Sequence, residues 1–527
     1  MELLIPFIVT AYFLLYTFAL SIPLPLATFA EQVPLEISNL QTASLTNALD
    51  SWLQREEKIA LDNLLANIAP GGRNVPDAAP GSVIASPSKA HPNYYFQWIR
   101  DAAITTSTLV HLYTAKDTPS SLYNTISKVL DAYVDISHRL QHTKNPSGNF
   151  EDKLSGLGEP KFHADGSAYY ESWGRPQRDG PALRAITLMK YLRAVNETNP
   201  SLWTTTEGNQ WFKSLYDASL PADSVIKADL EYISHHWWES GFDLWEEIQG
   251  LHFFTAAVQL RALQEGADLA RVFGDAGAAR WYSEQAEELE NFMPKFWSSK
   301  KNHLEETLNK EDRSGLDCGI LLGALHGTTQ EQRSPYPPQS DEVLLTLLGL
   351  VRDQRHRFPI NSSPERPTSE ATDPLSGIGI GRYPEDAYNG YESVPAGGNP
   401  WFLCTSSVAE VLYRTADHLL MTSSLHVSER GLPFWQALLT TAPADVRDDL
   451  EPNQRYTPND EVFNATITRL MSVGDAFLEV VKRHTDAQGS LSEQFDRVTG
   501  FERGARDLTW SYGAFLEALW TRKRVDW

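Results

Sequence analysis

Helical periodicity runs through almost the whole chain and limits the folds open to it more than any other feature. Residues 44–68 carry Leu49, Leu53, Ala60, Leu64 and Ile68 at spacings that put all five on one helix face. Residues 121–140 do the same with Leu122, Ile126, Val129, Tyr133, Ile136 and Leu140. The pattern predicts further helices at 101–115, 180–196, 222–238, 248–273, 275–297, 316–326, 340–355, 402–421, 461–484 and 506–522. Ser340-Asp341-Glu342 reads as an N-terminal cap, and Pro181 suits a first helical turn. No extended series of alternating strands and no short repeat interrupts this pattern. The connections at 70–100, 143–180, 357–401 and 485–505 are long and dense in Gly, Pro and aromatic residues. About twelve helices joined alternately by short turns and long loops predict a toroid of helical hairpins, with the loops gathered at one functional end.

Charge narrows the partners. The net charge is −23, from 45 basic and 68 acidic residues. Nucleic acid and anionic membrane surfaces both need a basic stripe, so neither is expected as a partner. No charged side chain occurs from Leu3 to Ala30, and the first basic residue is Arg55. This apolar opening predicts a secretory leader over residues 1–30, cleaved after Ser21 or Ala30, although its start lacks the usual Lys or Arg. A vacuolar or membrane-anchored form is the alternative. Asn196, Asn361 and Asn464 lie in glycosylation sequons, in keeping with a secretory route. The two cysteines, Cys318 and Cys404, form no metal-ligating set and no disulfide framework. The apolar run Trp401-Phe402-Leu403-Cys404 predicts a buried free thiol, with a single bridge as the alternative. Neither a metal nor a cofactor is expected, and the chain is expected to act as a monomer.

Chemistry concentrates in two stretches. Gly241-Phe242-Asp243-Leu244-Trp245-Glu246-Glu247-Ile248-Gln249-Gly250 places three carboxylates around an indole, just after His235, His236, Trp237 and Trp238. Like charges beside apolar rings raise a carboxyl pKa, which is how a glutamic acid keeps a proton to donate. Asp243-x-x-Glu246 also fits a capping box opening a helix, a purely structural role. The second stretch, Gly489-Ser490-Leu491-Ser492-Glu493-Gln494-Phe495-Asp496, supplies a candidate base. Together they point to hydrolysis.

Four loop motifs accompany these stretches: Tyr94-Tyr95-Phe96-Gln97-Trp98-Ile99-Arg100-Asp101, Trp173-Gly174-Arg175-Pro176-Gln177-Arg178-Asp179, Gly381-Arg382-Tyr383-Pro384-Glu385-Asp386, and Arg506-Asp507-Leu508-Thr509-Trp510. Arg and Asp make directional bonds to sugar hydroxyls, and aromatic rings stack on sugar faces. Any one Arg–Asp pair at a helix start can equally be a structural ion pair.

Taken together, the strings SPSKAHPNYYFQWIRDAA, SWGRPQRDGPALRA, GFDLWEEIQG, GRYPEDAYNG, GNPWFLCT and SEQFDRVTGFERGARDLTWSY resemble the fungal and yeast glucoamylases of glycoside hydrolase family fifteen, over roughly residues 45 to 522. The resemblance implies an all-α (α/α)6 barrel with a pocket-shaped site. It also implies an exo-acting enzyme that releases β-glucose from the non-reducing ends of α-1,4-glucans by inversion. It makes Glu246 the general acid and Glu493 the general base. It places Arg100, Asp101, Tyr94 and Trp98 around the terminal glucose, Arg382 as a second sugar-binding arginine, and Trp173 in shaping the surroundings of the acid. Asp243 and Glu247 then flank the acid, and Trp401 forms a pocket wall. Trp245, Asp243 and Glu247 should raise the Glu246 pKa, while Glu493 should stay ionised.

Two departures carry consequences. The loop continues through Tyr391-Glu392-Ser393-Val394-Pro395-Ala396-Gly397-Gly398 before Asn399, longer than in compact family members, so the pocket rim should differ. One catalytic domain over 31–527 is expected, with no starch-binding domain, which suits soluble dextrins better than granules. Rival readings are a catalytically weak sugar-binding protein and a trehalase-like inverting glycosidase on the same barrel. The presence of both carboxylates disfavours the first, and a disaccharide panel separates the second. A metal-dependent prenyl or terpene enzyme would need an aspartate cluster, and only Arg447-Asp448-Asp449 hints at one.

Overall fold

The computed structural model describes residues 35–329, 331–362, 373–395 and 397–525, so the predicted leader lies outside the described residues. The chain divides into one unit ending at Asp50 and a second from Ser51 to Trp527. Helix α1 (Leu35–Ala66) runs across the division, and the barrel belongs to the second unit.

In chain order, α1 is followed by α2 (Ile99–Thr114), α3 (Ser120–His142), α4 (Asp179–Thr198), α5 (Thr206–Leu215) and α6 (Val225–His236). Next come α7 (Phe253–Val272), α8 (Ala276–Phe292), α9 (Cys318–Gly327) and α10 (Asp341–Arg357). The rest are α11 (Phe402–Thr422), α12 (Leu432–Leu438), α13 (Ala444–Asp448), α14 (Glu461–His484) and α15 (Thr509–Arg524). An inner ring closes on itself: α2 packs on α4, α4 on α7, α7 on α9, α9 on α11, α11 on α15, and α15 on α2. The intervening helices cover this ring from outside, α3 on α2, α6 on α4, α8 on α7, α10 on α9 and α14 on α11. From Ser51 onward α1 completes the outer layer, with Trp52 edge-on to Phe515 and Asn63 bonded to the Tyr512 hydroxyl. The fold is an (α/α)6 barrel.

Sequence explains which layer each helix joins. A helix surrounded on every side must be apolar or small all round. In α9 every residue but His326 is buried. Outer α3 instead shows one buried stripe, including Ile126, Val129, Tyr133, Ile136 and Leu140, with Leu122 half-buried at its start. Full burial of each such Leu or Ile contributes about 1.5–3 kcal/mol. Ser340 caps α10 by accepting the Val343 N–H, and Pro181 occupies the first turn of α4.

Five of the six inner helices begin where a motif loop ends, and α9 follows a loop of its own. The α2, α4, α7, α9, α11 and α15 starts follow Trp98, Arg178, His252, Asp317, Trp401 and Leu508. The long loops therefore meet around one end of the ring. Antiparallel two-stranded ladders brace several of them, such as Phe96–Trp98 with Lys161–His163 and Gln494–Phe495 with Glu502–Arg503.

Three expectations need correction. Gly241–Gly250 does not open a helix: Gly241 pairs with Gly250 and Phe242 with Gln249, making the hairpin of β1 (Gly241–Phe242) and β2 (Gln249–Gly250). Asp243 Oδ1 accepts the Glu247 and Ile248 N–H groups at 2.7 Å each, which folds the segment back before α7 starts at Phe253. Cys404 is buried as expected but not free. The α9 and α11 starts are ring neighbours, so the Cys318 and Cys404 Cα atoms lie 5.8 Å apart and the sulfurs are bonded. Asn361 is also buried, its amide donating to Gln354 and Gly379 carbonyls at 3.0 and 2.9 Å, so a glycan there would displace both bonds. Asn464 is exposed and Asn196 half-buried.

Candidate active site

A cavity of about 450 Å³ opens among these loops. Tyr94, Trp98, Arg100 and Asp101 line it from the loop into α2, and Trp173 from the loop into α4. Trp245, Glu246 and Glu247 enter from the hairpin before α7, Arg382, Tyr388 and Trp401 from before α11, and Glu493 and Trp510 from around the α15 start. Glu246 and Glu493 share this one cavity despite their distance in sequence.

Glu246 sits in the β1–β2 turn with φ 69°, a left-handed conformation that costs a non-glycine residue about 1–2 kcal/mol. The Trp98 indole N–H donates to its Oε1 at 2.6 Å and the Gln177 amide donates to the same oxygen at 2.9 Å. Arg100 Nη2 lies 3.8 Å from that oxygen as well. An oxygen occupied by donors cannot also hold a proton aimed elsewhere, so the acid form of Glu246 carries its proton on Oε2. Among the described residues Oε2 receives no hydrogen bond.

The three carboxylates of the hairpin do not crowd one another, contrary to the sequence expectation, because each has its own partners. Asp243 is buried, ties down the turn and does not line the cavity. Glu247 accepts from Arg382 at 2.9 Å and from the Tyr383 hydroxyl. Burial works against the Glu247 charge, but Arg382 and Tyr383 overcome it and hold this carboxyl below its ordinary value. The Trp245 indole turns to Asp317, which accepts its N–H at 2.9 Å.

Arg100 and Asp101 meet at the cavity wall. Arg100 Nη1 is anchored by Gln177 and Asp179 at 2.9 and 3.0 Å, while the buried Arg100 Nε and Asp101 Oδ2 pair with each other at 3.3 Å. Burial raises Asp101 to about 6, opposed by the neighbouring Arg100 charge. Arg382 is buried and held by Asp386 at 2.6 and 2.9 Å, with Trp245 and Trp401 flanking its guanidinium.

Glu493 is fully buried. Its backbone N–H donates to the Ala505 carbonyl, and Gln494 reaches its Oε2 at 3.4 Å. Gly504, at φ +74°, packs so closely that a Cβ there would collide with Oε2. Oε1 is buried and accepts no hydrogen bond of regular geometry. Burial raises Glu493 to about 8, against the lowering effects of the Tyr94 hydroxyl and the Arg382 charge. Glu493 was expected to be simply ionised; instead its charge depends on Tyr94 and Arg382.

Sequence reasoning missed several contributors. Gln177 and Asp179 orient Glu246 and Arg100, Asp386 orients Arg382, and Tyr388 lines the cavity with its hydroxyl 3.2 Å from that of Tyr94. All lie inside the quoted loop strings, which was the available signal. Of the Arg–Asp pairs, Arg506–Asp507 is structural: Asp507 accepts from Tyr512 and Ser490. His235, His236, Trp237 and Trp238 do not line the cavity.

Two carboxyls on separate loops of one polar, aromatic-walled cavity, carried by an (α/α)6 barrel, define a glycoside hydrolase. The sequence model for glycosyl hydrolases family 15 matches residues 58–520, and the chain belongs to that family. It is 38% identical to the glucoamylase GLU1 of Saccharomycopsis fibuligera, covering 90% of this chain and 91% of the relative. It is 34% identical to the intracellular sporulation-specific glucoamylase of Saccharomyces cerevisiae, over 91% and 85% of the two chains. The solved structure of a Saccharomycopsis fibuligera glucoamylase superposes with a TM-score of 0.80 at 37% identity, covering 90% of this chain and 96% of that one.

Proposed function

We propose that this chain is an exo-acting glucan 1,4-α-glucosidase that removes terminal glucose from non-reducing ends with inversion. The observation that carries the proposal is the complementary state of two oxygens in one cavity. Two donors take Glu246 Oε1 and leave Oε2 open to carry a transferable proton, while Glu493 Oε1 is buried with no hydrogen bond of regular geometry.

Acetal cleavage needs a proton on the departing oxygen, and inversion needs a water deprotonated on the opposite sugar face. Glu246 Oε2–H protonates the glycosidic oxygen as the C1–O bond breaks. A water held by Glu493 Oε1 attacks C1 and gives its proton to that carboxylate. The products are β-glucose and a chain one residue shorter, and proton exchange with solvent resets both groups. Arg100, Asp101 and Arg382 fix the terminal sugar through its hydroxyls, with Tyr94, Trp98 and Trp401 as apolar walls.

Glucose release from maltose and from soluble dextrin tests this reading. A sugar-binding protein without turnover binds maltose and releases nothing, and a trehalase-like enzyme cleaves trehalose instead.

Secretion, a monomeric state and one catalytic domain belong to the same proposal. Secretion rests on the apolar leader at 1–30 and on the exposed Asn464 sequon. No helix among the described residues is long and apolar enough to cross a membrane. Detection of the chain in the medium, shortened at its N-terminus, tests the first point.

A further inference from the structure

On the outer face of the barrel, away from the cavity, His138 and His142 stand four residues apart on α3, so both imidazoles project from one side of the helix. Their ring centroids are 4.3 Å apart, and Phe150 stacks on His142 at 3.8 Å. His142 Nδ1 lies 2.9 Å from the His138 carbonyl oxygen. A carbonyl can only accept, so Nδ1 carries the hydrogen. The other nitrogen, Nε2, then faces Asp223 Oδ1 at 3.1 Å, and His138 Nε2 lies 3.9 Å from that same oxygen.

An imidazole lone pair and a carboxylate oxygen repel at this range unless a positive charge lies between them. Asp223 comes from the Pro221–Ser224 segment ahead of α6, and all three ligand atoms lie within 4.8 Å of one another. Zinc bonds of about 2.0–2.2 Å place tetrahedral ligand atoms about 3.3 Å apart; the His142–Asp223 separation of 3.1 Å is close to that, and the 3.9 Å from His138 to Asp223 closes with a small side-chain rotation. The backbone bond at Nδ1 is the usual outer support of a metal-binding histidine, since it fixes the ring and directs Nε2. Beside the triad a cavity of about 510 Å³, lined also by Asp135, Asp217 and one cation, Lys213, leaves room for water at a fourth position.

We propose that His138, His142 and Asp223 form a surface site for one divalent cation of the zinc class. Two imidazoles and one carboxylate suit zinc, copper or nickel better than calcium or magnesium. The ion clips the end of α3 to the segment that leads into α6. It has no part in glucan cleavage, because none of the three residues lines the active-site cavity.

Calorimetric titration of the chelator-stripped, full-length protein with zinc chloride tests the site. One ion per chain and a higher thermal midpoint with zinc are expected. His138→Ala and Asp223→Asn should each weaken binding tenfold or more and remove the thermal response. Glucose release from maltose should be unchanged in both, and their metal-free midpoints should match the parent protein, which checks folding. No saturable binding, or equal binding in the parent and both variants, overturns the site. A thermal midpoint that answers to acidification but not to zinc also overturns it, by assigning the triad to a protonated His142–Asp223 pair.

Discussion

The Trp98 indole N–H donates to Glu246 Oε1 at 2.6 Å, and this contact decides which oxygen of the acid is free to react. With Gln177 on the same oxygen, the carboxyl cannot rotate to exchange its two ends without losing both bonds. In the proposed mechanism this fixes the donor oxygen as Oε2 before substrate arrives, a geometric contribution to catalysis.

Glu246→Gln preserves both bonds to the side-chain oxygen and removes only the transferable proton. Turnover on maltose should fall by about 10³–10⁴-fold, in the upper part of the general-acid range, with maltose affinity largely intact. Steady-state rates and calorimetric maltose binding check the split; unchanged turnover removes Glu246 from the acid role.

Glu493→Gln keeps the shape of the base but not its charge. A loss of at least about 10²-fold in turnover is expected, the low end of a general-base contribution. A parent-like rate in this variant places the base elsewhere.

The acidic limb of the kcat/KM profile should belong to Glu493, which acts only when ionised. Its pKa is raised by burial to about 8, and the Tyr94 hydroxyl works to lower it. Activity therefore falls as pH drops through the Glu493 value. Tyr94→Phe deletes a stabiliser of the charged form, so the pKa rises and the limb moves to higher pH. A pH–rate series from both proteins checks this, and a limb that stays put or moves down contradicts it.

The Cys318–Cys404 bridge spans a sequence separation of 86 and ties the α9 and α11 starts beside Asp317 and Trp401. Replacing both cysteines by Ala should cost about 2–5 kcal/mol of stability. Thermal or denaturant unfolding measures the loss, with glucose release little altered at low temperature.

Most of the barrel was legible because its helices are amphipathic or wholly apolar over long runs. The α14 segment matches its predicted bounds, and α11 differs by one residue. Local pattern failed where pairing across the ring decides structure. Nothing near Cys404 announces Cys318, and nothing in Asp243-x-x-Glu246 reveals that Gly241 pairs with Gly250. The site residues were legible as strings, but their roles were not. Three neighbouring carboxylates suggested mutual repulsion, whereas the fold sends Asp243 to backbone N–H groups, Glu247 to Arg382 and Glu246 to Trp98. The α3 histidines escaped notice because their carboxylate partner lies 81 residues beyond His142.

Proton NMR of the first sugar released from maltotriose tests the central claim most directly, because bond cleavage and stereochemistry are read in one spectrum. Water activated by Glu493 opposite an Oε2 proton donor predicts β-glucose as the initial product, with α-glucose appearing only later by mutarotation. Initial release of α-glucose contradicts the account.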